Sequence, residues 1–311
     1  MHDILTVTMN PAVDIATSAD QVIPTHKIRC GVSQRHPGGG GINVARVVHR
    51  LQGRCVALYP AGGVYGELLK QLLGEEGINS VCIAVAGETR ESFSVIENLT
   101  RHEFRFVLPG PVLSFEEWQS VLHHIADLKT PARYVVISGS LPPGVPNDFY
   151  ARLARLAKAS GAKVVLDSSG PALSAALEEG VYLVKPSLRE LRELVGQPLE
   201  SELEWKHAAE QLVAQGKAKV VVLSLGEGGA WLVSDEGSFF SPALPVKVIG
   251  AIGAGDSFVG AMVWALSRGM DLRESFRYGV AAGSAALLSG GTGLCQPEDL
   301  LRMLVDVKLT C

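Results

Sequence analysis

The chain has no excess of positive charge. Its 28 Lys and Arg against 32 Asp and Glu leave a net −4, which argues against a nucleic-acid binder. Basic residues for any anionic ligand must therefore be concentrated locally. Cysteine is scarce, odd in number and scattered (Cys30, Cys55, Cys82, Cys295 and Cys311), and no Cys-x-x-Cys occurs. The expectation is reduced thiols in a cytoplasmic protein. No apolar run is long enough to span a membrane, and the Ala-rich stretch Val280 to Leu288 reads as a buried helix. Met1-His2-Asp3-Ile4 lacks a basic flank and a long apolar stretch, and reads as the start of a first strand and not as a signal peptide. Several motifs are missing as well. There is no Gly-x-x-x-x-Gly-Lys-Ser/Thr, so a P-loop is excluded, and no His-Glu-x-x-His. Gly38 to Asn43 fails Gly-x-Gly-x-x-Gly because Asn43 stands at the last position. His123-His124 are neighbours on a predicted helix, point to different faces, and read as a solvated pair.

What is present is a length of 311 residues, 47% of them apolar, enough for a large α/β core. From Phe115 onward helix and strand patterns alternate. Helices are predicted over Phe115–Leu128, Asp148–Ser160, Pro171–Glu178, Leu188–Val195 and Glu202–Gln215, and strands over Tyr134–Ile137, Lys163–Leu166, Tyr182–Val184 and Lys219–Leu223. Continuous apolar strands between helices indicate a parallel sheet covered on both faces. Ala230–Val233 and Ser238–Phe240 read as a hairpin near the sheet's end. Ile4–Thr8 and Val56–Tyr59 read as strands, and Gly66–Glu76 as a helix. Two regions differ in kind. Ile28, Cys30 and Val32 alternate with Lys27, Arg29 and Gly31, a half-buried strand pattern; Phe93 and Val95 alternate with Ser92 and Ser94, and Phe104 and Phe106 flank Arg105. The simplest organisation is one domain over 1–311 with a small antiparallel lid from about 12–35 and 88–107.

Chemistry concentrates in Gly250-Ala251-Ile252-Gly253-Ala254-Gly255-Asp256-Ser257, which opens a helix-patterned run from Phe258 to Arg268. The amides of Gly253, Ala254 and Gly255 would stand free at a helix N-terminus, a setting that suits an anion. Asp256 follows in the first turn, where the helix dipole favours its ionised form. An anion cradle beside a carboxylate suits phosphoryl transfer to a hydroxyl, the amides holding charge on phosphate and the carboxylate taking the proton. Read alone, the same residues also fit an ordinary Gly-rich turn with Asp as a cap.

A second Gly-rich segment lies near the other end: Pro37-Gly38-Gly39-Gly40-Gly41-Ile42-Asn43-Val44-Ala45-Arg46. With both segments the chain resembles the ribokinase-like carbohydrate kinases, the phosphofructokinase B family, from Asn10-Pro11-Ala12-Val13-Asp14 to Gly290-Gly291-Thr292-Gly293. Within it the chain looks most similar to the minor-type 6-phosphofructokinase branch. The resemblance implies an α/β three-layer sandwich with a mostly parallel sheet and a small β lid. It implies an ATP-dependent kinase of sugar phosphates, most similar to those acting on fructose 6-phosphate. Kinases of fructose 1-phosphate or tagatose 6-phosphate are alternatives; these usually carry Lys within the Gly-rich segment, where this chain has Gly40. A catalytically inert sugar-phosphate sensor on the same fold is the alternative of another class.

The resemblance also assigns residues. Asp14 and Asn43 would bond sugar hydroxyls, Gly39 and Gly40 would let the sugar lie against backbone, and Ser140 matches a position near the substrate. Lys27, Arg90 and Arg105 lie in or beside the lid strands, and three cations there suit a substrate that already carries phosphate. On the nucleotide side, Lys185-Pro186-Ser187-x-x-Glu190 resembles the family's Lys-Pro-Asn-x-x-Glu, whose Asn and Glu organise Mg²⁺; Ser187 departs from it. Ser224, Gly226 and Gly229 match the loop along ATP, and Val280 and Ser284 an adenine pocket. Carbonyls at Gly250, Ile252, Ala286, Ser289, Gly291 and Gly293 match a K⁺ site, with Gly250-Ala251 departing from the usual Asp- or Ser-containing start. The exposed apolar side chains expected on the lid imply a homodimer through it, with no nucleic-acid or membrane partner.

Overall fold

In the computed structural model, which describes residues 3–310, the apolar strands pair as their sequences require. Met1 and His2, read as leading into the first strand, and Cys311, read as a free thiol, lie outside the described residues. Strands β1 (Ile4–Val7), β4 (Cys55–Ala61), β5 (Ser80–Ala84), β8 (Tyr134–Ser138), β9 (Lys163–Asp167), β10 (Val181–Val184) and β11 (Ala218–Ser224) run parallel, and β12 (Ala230–Ser234) and β13 (Gly237–Ser241) add an antiparallel hairpin. The order is β13-β12-β11-β10-β9-β8-β1-β4-β5. Chain order reverses direction across the sheet between β1 and β8, and in such sheets the crevice beyond the strands' C-terminal ends takes ligands.

Helices cover both faces. On one, α1 (Gly40–Arg50), α2 (Gly63–Glu75), α8 (Ala254–Ser267), α9 (Leu272–Ala286) and α10 (Pro297–Leu304) bury a core with Ile4, Ala57, Val136 and Val165. On the other, α3 (Phe115–Ala126), α4 (Phe149–Ala159), α5 (Gly170–Leu177), α6 (Leu188–Val195) and α7 (Glu202–Ala214) pack on Leu5, Leu58, Val135 and Leu166. The alternation of these strand residues between the two cores is the period of two expected of a sheet buried on both sides. At Gly260 a Cβ would stand 2.8 Å from the Val47 Cβ, so a side chain there would force α8 away from α1. Among the described residues no helix is long and apolar enough to cross a membrane.

A second sheet stands over the strand ends: β3 (Gln34–Gly38), β2 (Ala12–Ala19), β6 (Arg90–Glu97) and β7 (Glu103–Val107), in that spatial order. The outer pairs β2–β3 and β6–β7 are antiparallel, as expected, while the central pair β2–β6 is parallel. The register places Arg90 opposite Ala12, Ser92 opposite Asp14, Val107 opposite Ser92 and Arg105 opposite Ser94. Side chains alternate, so Asp14, Arg90 and Arg105 share one face. Ile15, Phe93, Val95, Phe104 and Phe106 share the other.

One expectation needs correction, and one strand goes beyond those expected. The strand read at Ile28–Val32 is absent: residues 20–33 are irregular and exposed, Val32 at 95%, and the strand begins at Gln34. Alternation there meets β2 at one point, where Gly31 N donates to Ser18 O at 2.8 Å, and no ladder extends from it. The edge strand β5, half-exposed along its middle, was not anticipated at all. His123 and His124 lie exposed and half-exposed on α3, as a solvated pair should.

Candidate active site

The turn before α8 is built on Gly253, whose φ of 76° lies in the left-handed region and whose Cβ would meet Leu294 Cδ2 at 2.4 Å. Glycine is required there twice over, by backbone conformation and by space. The helix starts at Ala254, earlier than its apolar pattern at Phe258, so Asp256 sits in its first turn. The first intrahelical bond runs from Ser257 N to Gly253 O at 2.8 Å. Ala254 N is turned toward Ala251 O at 3.5 Å. Among the described residues the amides of Gly253, Gly255 and Asp256 have no backbone partner, and Ala254 N has only this long contact.

Asp256 faces a cavity of about 270 Å³ lined also by Asp14, Gly39, Gly40, Asn43, Arg90, Arg105, Ser140, Glu190, Ile252 and Gly253. Of these, Asn43 Nδ2 donates to Asp256 Oδ2 at 2.8 Å. Burial pushes the Asp256 carboxyl up to about 6, aided by Asp167 and Asp14, against the Asn43 bond and the Lys185 ammonium. The shift runs against the ionised form that a helix-start position favours, and it makes the carboxylate a better proton acceptor. Asp14 is likewise raised by burial to about 6, with Arg46, Arg90 and Arg105 pulling it down.

The lid cations differ from one another. Arg90 donates to Leu108 O at 3.0 Å and to Asn10 O at 2.9 Å, so it is anchored just beyond β1, and it lines the cavity. Arg105 is exposed and lines the cavity. Lys27, expected beside them, lies in the irregular exposed segment away from the cavity lining. Gly40 faces the end of β8: a Cβ there would meet Ser138 Oγ at 2.2 Å.

Lys185, expected at the nucleotide, is buried and pairs with Asp167, Nζ to Oδ1, at 3.1 Å. Burial opposes its charge, but Asp167, Asp256 and Glu190 outweigh burial and raise its pKa. A Cβ on Gly255 would stand 3.4 Å from this ammonium, which places the cation beside the free amides. Asp167, Ser168 and Ser169 also line the cavity, and sequence reasoning missed all three. The available signal was an Asp-Ser-Ser-Gly run closing a strand before a helix, where parallel sheets place ligands.

Ser187 is the N-cap of α6 and Glu190 its reciprocal partner: Glu190 N donates to Ser187 Oγ at 3.3 Å, and Ser187 N donates to Glu190 Oε2 at 2.8 Å. Serine thus holds the cap, and Glu190 still lines the cavity with Asp167 and Asp256. Among the described residues no three such ligands converge to cage a metal. Scattered carboxylates suit Mg²⁺, which keeps water and substrate phosphate as ligands. Ser224, Gly226 and Gly229 form a loop at the end of β11, tied to the Ser187 segment through Ser224 N to Pro186 O at 3.0 Å. Val280 is buried in the core on α9 and Ser284 is half-exposed one turn on, neither in the cavity lining.

For K⁺, the expected carbonyls fall on two adjoining loops. Ile249 N donates to Leu287 O at 2.8 Å, and a Cβ on Gly250 would stand 3.0 Å from Ser289 O. Ile252, Ala286, Ser289 and Gly291 are compatible with a hard cation, which takes well-placed carbonyl oxygens. Gly293 is not: its carbonyl accepts from Arg50 Nη1 at 2.6 Å and Gln296 Nε2 at 3.2 Å, so a guanidinium already occupies it. Glu103 of the lid accepts from Ala251 N at 3.3 Å, setting an anionic group beside the loop where Gly250 brings none.

Comparison with known proteins decides the family. The profile of the pfkB family carbohydrate kinases matches residues 7–299. This chain is a pfkB family carbohydrate kinase. It is 48% identical over 299 residues to the ATP-dependent 6-phosphofructokinase isozyme 2 of Mycobacterium tuberculosis, covering 96% of this chain and 88% of that protein. To the 1-phosphofructokinase of Bacillus subtilis it is 34% identical, with 99% of each chain covered. Among solved structures it is similar to Escherichia coli phosphofructokinase-2 in complex with potassium, at TM-score 0.93 and 41% identity over 98% of this chain and 99% of that one. The same enzyme with fructose-6-phosphate gives TM-score 0.93 and 40% identity over 99% of each chain. The cavity brings together Gly253 and Asp256 of the helix start with Arg90 and Arg105 of the lid.

Proposed function

We propose that this kinase is an ATP-dependent 6-phosphofructokinase that phosphorylates the 1-hydroxyl of fructose 6-phosphate, within one kinase domain spanning 1–311. The observation that carries the reading is the shared cavity: Asp256 at the start of α8 lies between free amides and the Arg90–Arg105 face of the lid. Arg90 and Arg105 take the phosphate already on the sugar, Arg as a fork. Asp14 and Asn43 take ring hydroxyls. A Cβ on Gly40 would stand 2.2 Å from Ser138 Oγ, so this backbone has no place for the Lys that the alternative kinases usually carry in the segment, which favours this substrate over 1-phosphorylated sugars.

With Asp256 Oδ2 held by Asn43, Oδ1 is left to accept the proton of the acceptor hydroxyl. The freed oxygen bonds to the γ-phosphorus of ATP, the bond to the β–γ bridging oxygen breaks, and ADP leaves with that electron pair. The amides of Gly253 and Gly255 and the Lys185 ammonium stabilise the charge on the transferring group, where most of the catalytic effect of phosphoryl transfer lies. Bound Mg²⁺ would neutralise charge on the phosphates, held by them and by water from Glu190 and Asp167. K⁺ at the Gly250–Ile252 and Ala286–Gly291 loops would rigidify the cradle. The outward Phe104 and Phe106 face supports a homodimer through the lid, with Lys27 brought in by the loop of residues 20–33. The reduced cysteines fit a cytoplasmic enzyme.

A coupled assay of ADP release across fructose 6-phosphate, tagatose 6-phosphate, fructose 1-phosphate and the free sugars tests the assignment. Fructose 6-phosphate should turn over far better than fructose. Equal efficiency on both would remove the substrate assignment, and no ADP release on any acceptor would favour the inert sensor.

A further inference from the structure

Arg46 is a long cation with no exposed surface, and the reaction as described gives it no part. Its guanidinium is gripped on one side by Glu76, Nη2 to Oε1 at 2.6 Å and Nε to Oε2 at 2.8 Å. A planar fork met by both carboxylate oxygens is fixed in orientation. The remaining nitrogen, Nη1, points the other way. It donates to Pro37 O at 3.1 Å, Thr292 O at 3.1 Å and Asn43 Oδ1 at 3.3 Å.

The last of these contacts bears on the reaction. An Asn amide has a donor end and an acceptor end, and its network decides which way it faces. With Oδ1 held by Arg46, Asn43 must turn Nδ2 toward Asp256, where it donates at 2.8 Å. Reversed, the amide would set its oxygen against a carboxylate and its NH₂ against a guanidinium, both repulsive. We infer that Arg46, aligned by Glu76, is a positioning residue: it locks the Asn43 amide so that Asp256 is held by Oδ2 and presents Oδ1 to the acceptor hydroxyl. The chain Glu76–Arg46–Asn43–Asp256 joins the C-cap of α2, α1 and α8. It rests on the reading of Asp256 as the base.

Asp256 is also faced by Asp167 and Lys185 from the strand ends, by Asp14, Arg90 and Arg105 from the lid, and by Glu190 from α6. Arg46→Lys leaves the sign of every one of these charges, and of residue 46 itself, unchanged. It removes only the fork. The Asn43 amide is then free to turn, and the carboxylate loses a directed bond to its charged form. The acid limb of the kcat–pH profile, measured at saturating substrates, should move up by about one pH unit. kcat should be about fivefold low at pH 6 and close to that of the unsubstituted enzyme at pH 8.5, with the KM for ATP little changed. Recovery at high pH is a signature that loosened packing does not give.

Glu76→Gln serves as the second variant, since Arg46→Lys sits in a buried cluster and its folding is checked by thermal melting. It keeps one acceptor oxygen for Arg46 and should shift the acid limb the same way by less. A folded variant of either kind with a lowered melting temperature and an unmoved acid limb overturns the proposal. If the acid limb of the unsubstituted enzyme is itself untouched by Asp256→Asn, the reading of the base has failed, a different outcome from failure of the Arg46 link.

Discussion

Replacing Asp256 by Asn should abolish most of the activity and, at neutral and higher pH, stabilise the fold. The carboxyl is raised to about 6 from 3.8, mainly by burial. That is about two pH units, or roughly 3 kcal/mol at 1.36 kcal/mol per unit. The sign follows from linkage. Between about pH 4 and pH 6 the folded protein binds a proton there that the unfolded chain has released. Stability from this group is therefore full below pH 4 and lost as pH rises through 6. The amide substitution removes that loss, keeps the volume, and leaves an oxygen to accept from Asn43. Lys185 forfeits one attractive neighbour, so the net gain is about 1–3 kcal/mol, a few degrees in melting temperature. Removing a general base lowers kcat by roughly 10²–10⁴. Calorimetry of both proteins at pH 4.5 and pH 8, with kcat at saturating substrates, checks the argument. The gain should be present at pH 8 and cut to about a third at pH 4.5. Near-normal kcat would show that Asp256 is not the base. A melting temperature lowered equally at both pH values would show that its ionised form is not strained in the fold.

Other expectations concern the lid and the ions. Arg105→Ala should raise the KM for fructose 6-phosphate by about 2–3 kcal/mol in binding terms without moving the melting temperature, because the side chain is exposed; an unchanged KM would remove it from the phosphate site. Arg90→Ala should do the same and also destabilise, since it strips the partner from Asn10 O and Leu108 O. Rates should be higher in KCl than in NaCl, and Glu103→Gln should narrow that difference; equal rates in both salts would mean that the Gly250 loop holds no monovalent ion. Light scattering at micromolar protein should give a dimer, and Phe106→Asp should yield monomer; full activity as a monomer would count against pairing through the lid.

The helices and the parallel strands were legible because burial on two faces writes itself into the sequence as apolar runs spaced by amphipathic ones. Leu188–Val195 has the bounds its pattern implied, and the Ser187–Glu190 pair that starts it is a local rule with a local signature. Lys27–Val32 misled because alternation is necessary for a strand but pairing makes one. In the cavity, Asp256 was found from its Gly-rich motif, Arg90 and Arg105 from charge on the lid, and Asp14 and Asn43 from the family resemblance. Asp167 was not, because its part comes from a neighbour on the next strand, Lys185, and strand order is not local information. Gly293 was misassigned for the same reason: its carbonyl is taken by Arg50, far away in the chain.

Those long-range ties also explain why the lid's polar face stands over the strand ends. Arg90 of β6 holds Asn10 O at the end of β1, Glu103 of β7 holds Ala251 N before α8, and Arg46 of α1 holds Pro37 O of β3. Three of the four lid strands are thus each tied to the body by a charged side chain, whose bonds are the stronger kind. The tie to β3 runs through the same guanidinium that orients Asn43. A movement of β3 that pulled on Pro37 would act on the Nη1 donor and, through Asn43, on the Asp256 carboxylate. The placing of β3 and the orientation of Asn43 therefore share one buried arginine.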